Sequence, residues 1–386
     1  PKTVNDFLND LLKKSYAAAG KEFDQLNELA TSDGVDHMQQ WDGAFYSELL
    51  KKQLLDLDEE VIRPYFKLEN VVHGVFEIAN SLVGLVFKQT QKIDVYHDEV
   101  NTYEVYDSDG EFIAILYTDF FPREGKRNGA WMTSFKGQWK RENSNSRPHI
   151  SIVCNFTRPT EDKPSLLTFN EVTTLFHEFG HALHGMLANT TYESLSGTNV
   201  YWDFVELPSQ LLENWCYEEA ALKLFARHYK TGEVIPMEII GKIKKASNFL
   251  EGLQTVRQLS FGILDMKWHS VDPTNINDVK AYERSTFDRT RIYPDVESSC
   301  MSTSFSHIFQ GGYSAGYYSY KWAEVLDADA FAHFKAHGIF NPEISNKFKQ
   351  YVLSKGGTEN PMDLYIKFRG KEPSNRHLLK RAGLIS

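Results

Sequence analysis

The stretch TLFHEFGHALHG, residues 174–185, places two histidines four residues apart with a glutamate beside the first. On a helix, residues i and i+4 project from one face on successive turns, so His177 and His181 can reach one metal ion. Imidazole nitrogens about 2.0–2.1 Å from a tetrahedral zinc suit that spacing. Glu178 adjoins the first ligand, where its carboxylate reaches a water on the metal without displacing it. The chemistry such a set allows is metal-assisted hydrolysis with Glu178 as general base.

Two ligands are too few, and His184 does not supply the third. It lies seven residues beyond His177, roughly 10 Å along a helix axis, too far for ligand atoms sharing one ion. The longer HExxHxxGxxH pattern also fails, because His184 and Leu187 occupy its Gly and His positions. Glu206, in WDFVELPSQLLENW (202–215), is the better candidate. Its neighbours Phe204, Val205 and Leu207 are apolar, and a carboxylate buried among them needs a partner such as a metal. Local sequence equally allows a solvent-facing Glu at a helix start, favoured by the helix dipole.

A third chemical segment is FSHIFQGGYSAGYYSYKW, 305–322. Tyr313, Tyr317 and Tyr320 fall at i, i+4 and i+7, predicted to share one helical face. Such a stripe reads either as core packing or, through its hydroxyls, as donors to a developing oxyanion. Upstream, Gly129 and Ala130 precede Trp131. Their small side chains would let a peptide backbone approach an edge strand; they serve equally as space-saving neighbours of a packed Trp.

Elements must position these groups. Thr168 and Glu171 have capping-box spacing, predicting a helix over about 169–187 with Val172, Leu175, Phe176, Phe179, Leu183 and Met186 as its apolar face. The chain reads as a helical lead-in over 1–100. A small antiparallel sheet follows over 101–156, with a hairpin at Asp109-Gly110. Residues 157–386 read as helical. Val205–Tyr229 and Met237–His269 are each predicted as one long helix. The fold class is therefore mainly α, with one small β-sheet ahead of the metal-binding helix.

Net charge is −10, which argues against nucleic acid or an anionic membrane as main partner. No run of 18 apolar residues suggests a membrane span. Cys154, Cys216 and Cys300 are widely spaced and contain no CxxC; free thiols in a reducing, cytoplasmic setting are expected. The chain opens on Pro1, which suggests a piece of a longer polypeptide.

Together, HEFGHALH, DFVELPSQLLENW and FSHIFQGGYSAGYYSYKWAEVLDADAF resemble the thimet oligopeptidase family of zinc metallopeptidases. The resemblance runs from about residue 60 to GGTENPMDLYIKFRG at 356–370. It implies one Zn²⁺ held by His177, His181 and Glu206, with Glu178 as base. It also implies that His307, Tyr313 and Tyr320, together with Tyr317, contact substrate or the tetrahedral intermediate. The implied fold is the zincin-like catalytic portion of a two-lobed clam whose channel admits short peptides. Family members are longer, so the N-terminal lobe of the same polypeptide is expected to be missing here. YESLSGTN at 192–199 resembles the peptidyl-dipeptidase branch, whereas CNFTRP at 154–159 and ELPSQ resemble the oligopeptidase A type. The reading from sequence leans to release of C-terminal dipeptides, with endo-cleavage as the alternative. The rival from another class is a catalytically dead peptide-binding protein; the intact base Glu178 speaks against it.

Overall fold

A computed structural model of the chain describes residues 1–385. Helices dominate, and the chain divides into two units, each assembled from separated segments.

One unit comprises residues 1–57, 245–325 and the C-terminal stretch from Arg376 onward. Its backbone is the long helix Lys2–Ser32 lying along the helix Glu251–Trp268. Leu8, Leu11, Leu12 and Ala19 recur at helical spacing and pack on Val256, Leu259, Ile263 and Met266. Gly252 lets the two backbones touch: a Cβ there would sit 2.7 Å from the Ala19 amide nitrogen. The predicted helix 237–269 is two helices, Met237–Ala246 and Glu251–Trp268. Leu250 breaks it, adopting a left-handed conformation at φ 55°.

The other unit comprises residues 58–244 and 326–375. Its sheet has strands β1 (Val86–Thr90), β2 (Asn101–Tyr106), β3 (Phe112–Asp119), β4 (Trp131–Lys136) and β7 (His149–Val153), in the order β1-β2-β3-β7-β4. A separate hairpin joins β5 (Trp139–Arg141) to β6 (Ser144–Ser146). The sheet begins at Val86, upstream of residue 101, and it is mixed rather than wholly antiparallel, because β3 and β7 run parallel. The cause is the connection: β4 and the hairpin intervene, so the chain re-enters the sheet beside β3 in the same direction. The predicted β2–β3 hairpin is present, with Gly110 at φ 85° and Asp107 accepting from the Asp109 and Glu111 amides. β3 is buried along nearly its whole length, as its apolar run FIAILYTD requires of a central strand.

The predicted helix 205–229 is also broken. Leu207–Glu213, a 3-10 turn Asn214–Tyr217 and Glu219–Phe225 follow one another. Cys154, Cys216 and Cys300 are free thiols, the first two buried. Among the described residues, no helix is long and apolar enough to cross a membrane.

Candidate metal centre and active site

The helix Phe169–Met186 starts where the capping box places it. Thr168 Oγ1 accepts from the Glu171 amide at 3.1 Å, and Glu171 Oε2 accepts from the Thr168 amide at 2.8 Å. Its apolar face is buried, and Gly185 rests on the Ile150 side chain of β7. The opposite face turns His177 and His181 towards the helix Leu207–Glu213.

Gly180 permits the close approach of these two helices. A Cβ on Gly180 would lie 2.4 Å from the Pro208 carbonyl oxygen and 2.5 Å from Ser209 Cα. Glycine removes that clash, and Glu206, which caps the second helix, reaches across to the histidines. Glu206 Oε2 lies 3.2 Å from His177 Nε2 and 3.1 Å from His181 Nε2. Glu206 is 3% exposed, so the solvent-facing alternative does not hold. Ser209 Oγ donates to the same Oε2 at 2.8 Å.

The three ligand atoms lie within 4.8 Å of one another. Ligands about 2.1 Å from a shared tetrahedral centre stand about 3.4 Å apart, near the observed spacing. Two imidazoles and one carboxylate form a borderline donor set that suits zinc. Burial works to raise the Glu206 carboxyl, but His181 and His177 outweigh it and hold it well below the carboxylate range. For His177 burial acts downward, yet Glu206 and Glu213 raise it well above the usual imidazole value. Glu206 and Glu213 thus flank the His177 ring, one carboxylate at each nitrogen.

Glu178 is 6% exposed, and its Oε2 has no hydrogen-bond partner. Burial raises its pKa, against the opposing pull of His177 and His181. His184 is fully buried with neither ring nitrogen hydrogen-bonded; burial, with His181, pushes it down to about 3. It packs as a neutral ring and stays outside the ligand group.

Sequence reasoning missed Glu213, whose Oε1 sits 2.6 Å from His177 Nδ1. It also missed Ser209 and Gly180. The signal for Glu213 was its place seven residues after Glu206, two helical turns on, together with the need of a metal-binding imidazole for a partner on its second nitrogen.

Gly129 and Ala130 end the loop that enters β4, with Gly129 at φ 97°. β4 is an edge strand, hydrogen-bonded to β7 alone. Trp131 is half-buried, with the Arg127 guanidinium 5.0 Å from its ring centre.

His307, Tyr313, Tyr317 and Tyr320 belong to the other unit, where they form one ring cluster. The single helical face predicted for the tyrosines is not what gathers them. Only Tyr320 is helical, in the first turn of Ser319–His337. Gly312 at φ 86° and Ala315 at φ 54° wind the preceding segment into turns. Those turns stack Tyr313 on Tyr320 at 5.3 Å and bring Tyr317 within 5.1 Å of Tyr320. His307 closes on Tyr313 and Tyr317, 6.1 Å from each. Asp265 holds the turn by accepting from the Ala315 and Tyr317 amides.

A family model described as Peptidase family M3 matches residues 1–384. The chain belongs to this peptidase family. Oligopeptidase A of Escherichia coli K12 is 42% identical across the whole chain, and dipeptidyl carboxypeptidase of the same organism 37%. Saccharolysin of Saccharomyces cerevisiae is 35% identical over 99% of the chain. The chain spans 57% of the length of each of the two bacterial relatives and 56% of saccharolysin. Among solved structures, an M32 carboxypeptidase from Deinococcus radiodurans R1 superposes with a TM-score of 0.51 at 12% identity, covering all of this chain and 80% of that one. That likeness concerns the fold.

Proposed function

We propose that this chain carries the catalytic centre of a zinc peptidase that hydrolyses short peptides. The observation behind the proposal is the convergence of His177 Nε2 and His181 Nε2 on Glu206 Oε2, with the buried, unpaired carboxylate of Glu178 beside them. His177, His181 and Glu206 would hold the zinc, which when bound would supply Lewis acidity towards a water and the scissile carbonyl. Glu178 takes the proton of the attacking water and passes it to the departing amine. Glu213 holds Nδ1 of His177 and so fixes which nitrogen faces the ion. Family resemblance extends the assignment to His307, Tyr313 and Tyr320 as donors to the oxyanion, and to Gly129, Ala130 and Tyr317 as substrate contacts.

Internal cleavage is the first reading, favoured by the CNFTRP and ELPSQ segments; identity does not choose, because relatives named oligopeptidase A match at 38–42% and those named dipeptidyl carboxypeptidase at 37–39%. Release of C-terminal dipeptides is the second reading, favoured by the YESLSGTN segment. Mass spectrometry of short peptides, free or amidated at the C-terminus, separates the two. Internal cuts indifferent to amidation support the first, and stepwise loss of two residues blocked by amidation supports the second. Glu178→Gln should keep its zinc and lose turnover; normal activity in that variant sinks the mechanism.

A further inference from the structure

The edge strand β4 is entered through an anchored loop. β4 pairs with β7 in a register that sets Trp131 opposite Val153. Continued two residues outward, that register places Gly129 opposite Asn155. The backbone ladder does not continue there. The Asn155 side chain takes it over: Nδ2 donates to the Gly129 carbonyl at 2.7 Å and to the Arg127 carbonyl at 2.9 Å. Both amide hydrogens of the side chain are thereby used. Asn155 is itself held from the other side. The flanking amides of Cys154 and Phe156 donate to the Asp119 and Phe120 carbonyls at 2.8 and 2.7 Å, extending β7 along β3.

The loop needs such a tie. Gly129 is at φ 97°, with no atom within 4 Å of where its Cβ would be. Gly125 is at φ 76°, with equally open surroundings. Little packing fixes either glycine, and glycine loses the most entropy on being fixed. Meanwhile β4 borders the metal-ligand helix: a Cβ on Gly185 would lie 3.4 Å from the Met132 methyl. β4 therefore packs on the helix that carries His177 and His181, within one unit, and its outer edge is unpaired. An extended peptide gains main-chain hydrogen bonds along such an edge only if the strand's first residues are already in place.

We propose that Asn155 is a positioning residue for peptide substrate: by tying the Arg127 and Gly129 carbonyls it fixes the entry to β4 as a ready edge for the substrate backbone. The proposal rests on the peptidase reading above and adds to it the group that organises backbone binding. Asn155 acts through Gly129 and Ala130.

Asn155→Asp is the sharp test, since the side chain keeps its shape and loses both donors. Two readouts are needed. In the metal-free full-length protein, hydrogen exchange of peptides covering residues 125–131 should quicken in Asn155→Asp and in Asn155→Ala, with the rest of the sheet unchanged. With zinc bound, both variants should raise KM for a short peptide by about tenfold, leave kcat within about threefold and retain wild-type zinc content. That split is the mark of lost uniform binding. Gly129→Ala, which strains the same loop without touching Asn155, should reproduce it. Wild-type exchange in Asn155→Asp overturns the proposal, as does a loss confined to kcat. If either Asn155 variant does not fold, Gly129→Ala with wild-type KM overturns it instead. A wild-type protein that binds zinc yet cuts no peptide defeats the peptidase reading, and this assignment with it, before any variant is compared.

Discussion

Glu213 Oε1 lies 2.6 Å from His177 Nδ1, while the other ring nitrogen of His177 faces Glu206 Oε2 at 3.2 Å. The imidazole is thus gripped on both sides, and the carboxylate on Nδ1 leaves Nε2 as the nitrogen for a metal. Removing Glu213 should leave the two histidines and Glu206 in place but with a freer, less basic first ligand. Glu213→Ala is expected to weaken zinc affinity by about 10–100-fold, the usual scale for such partners. Competition with a chelator measures it directly. Unchanged affinity would reduce the contact to a surface ion pair.

Gly180 sets the distance between the helix that carries His177 and His181 and the helix that follows Glu206. Gly180→Ala places a methyl 2.4 Å from the Pro208 carbonyl oxygen, which is backbone and cannot swing aside. The helices must separate, at about 1–3 kcal/mol of stability for an overpacked contact, and Glu206 withdraws from the histidines. Calorimetry should show a lower unfolding temperature and chelator competition a weaker site, together. Loss of stability with full zinc affinity would mean that the helices part elsewhere.

The HEFGH helix was legible because every signal for it was local: the Thr168–Glu171 capping box, the apolar period and the histidine spacing lie within twenty residues. Glu206 was only half legible. Its apolar neighbours suggested burial, but its partner lay on another helix. Gly180 and Glu213 act across that same gap, and the sequence does not state which helices touch. The helix forecasts at 205–229 and 237–269 failed for another reason. Periodicity continued through Asn214–Tyr217 and Leu250, where the backbone leaves the α-helix for a 3-10 turn and a left-handed residue that hydrophobic spacing does not register. The tyrosine cluster was expected as a group and found as one, although turns rather than a helix assemble it.

Tyr320 is the cluster member on which the oxyanion assignment can be tested most cleanly. It stacks on Tyr313, so replacing it by Phe keeps the ring contact and removes only the hydroxyl. Tyr320→Phe should lose about 10²-fold in kcat, the scale for a single oxyanion donor, with zinc content unchanged. Unaltered kcat would return Tyr320 to core packing.

Asp119, at the end of β3, gives a pH dependence of stability whose sign is fixed. Its side chain is 2% exposed and accepts two hydrogen bonds from Arg123, at 2.7 and 2.8 Å, and one from Lys126 at 2.9 Å. Burial works to raise its pKa, but Arg123 and Lys126 outweigh burial and hold it below the ordinary value. In the unfolded chain an Asp titrates near about 3.9. Between that value and the lower folded one, the unfolded state binds the proton more readily, so stability falls as the pH falls. Above about pH 5 the contribution is fully present; below the folded pKa it is gone. Lys126 is 3% exposed and would lose its anionic partner in Asp119→Asn, so that variant should be less stable at pH 7 by about 3 kcal/mol, the lower end for a broken buried pair. Urea unfolding at pH 7, 5 and 3 should show the gap between wild type and variant steady from 7 to 5 and narrower at 3. A gap that widens at pH 3 would mean that Asp119 is held above, not below, its unfolded pKa.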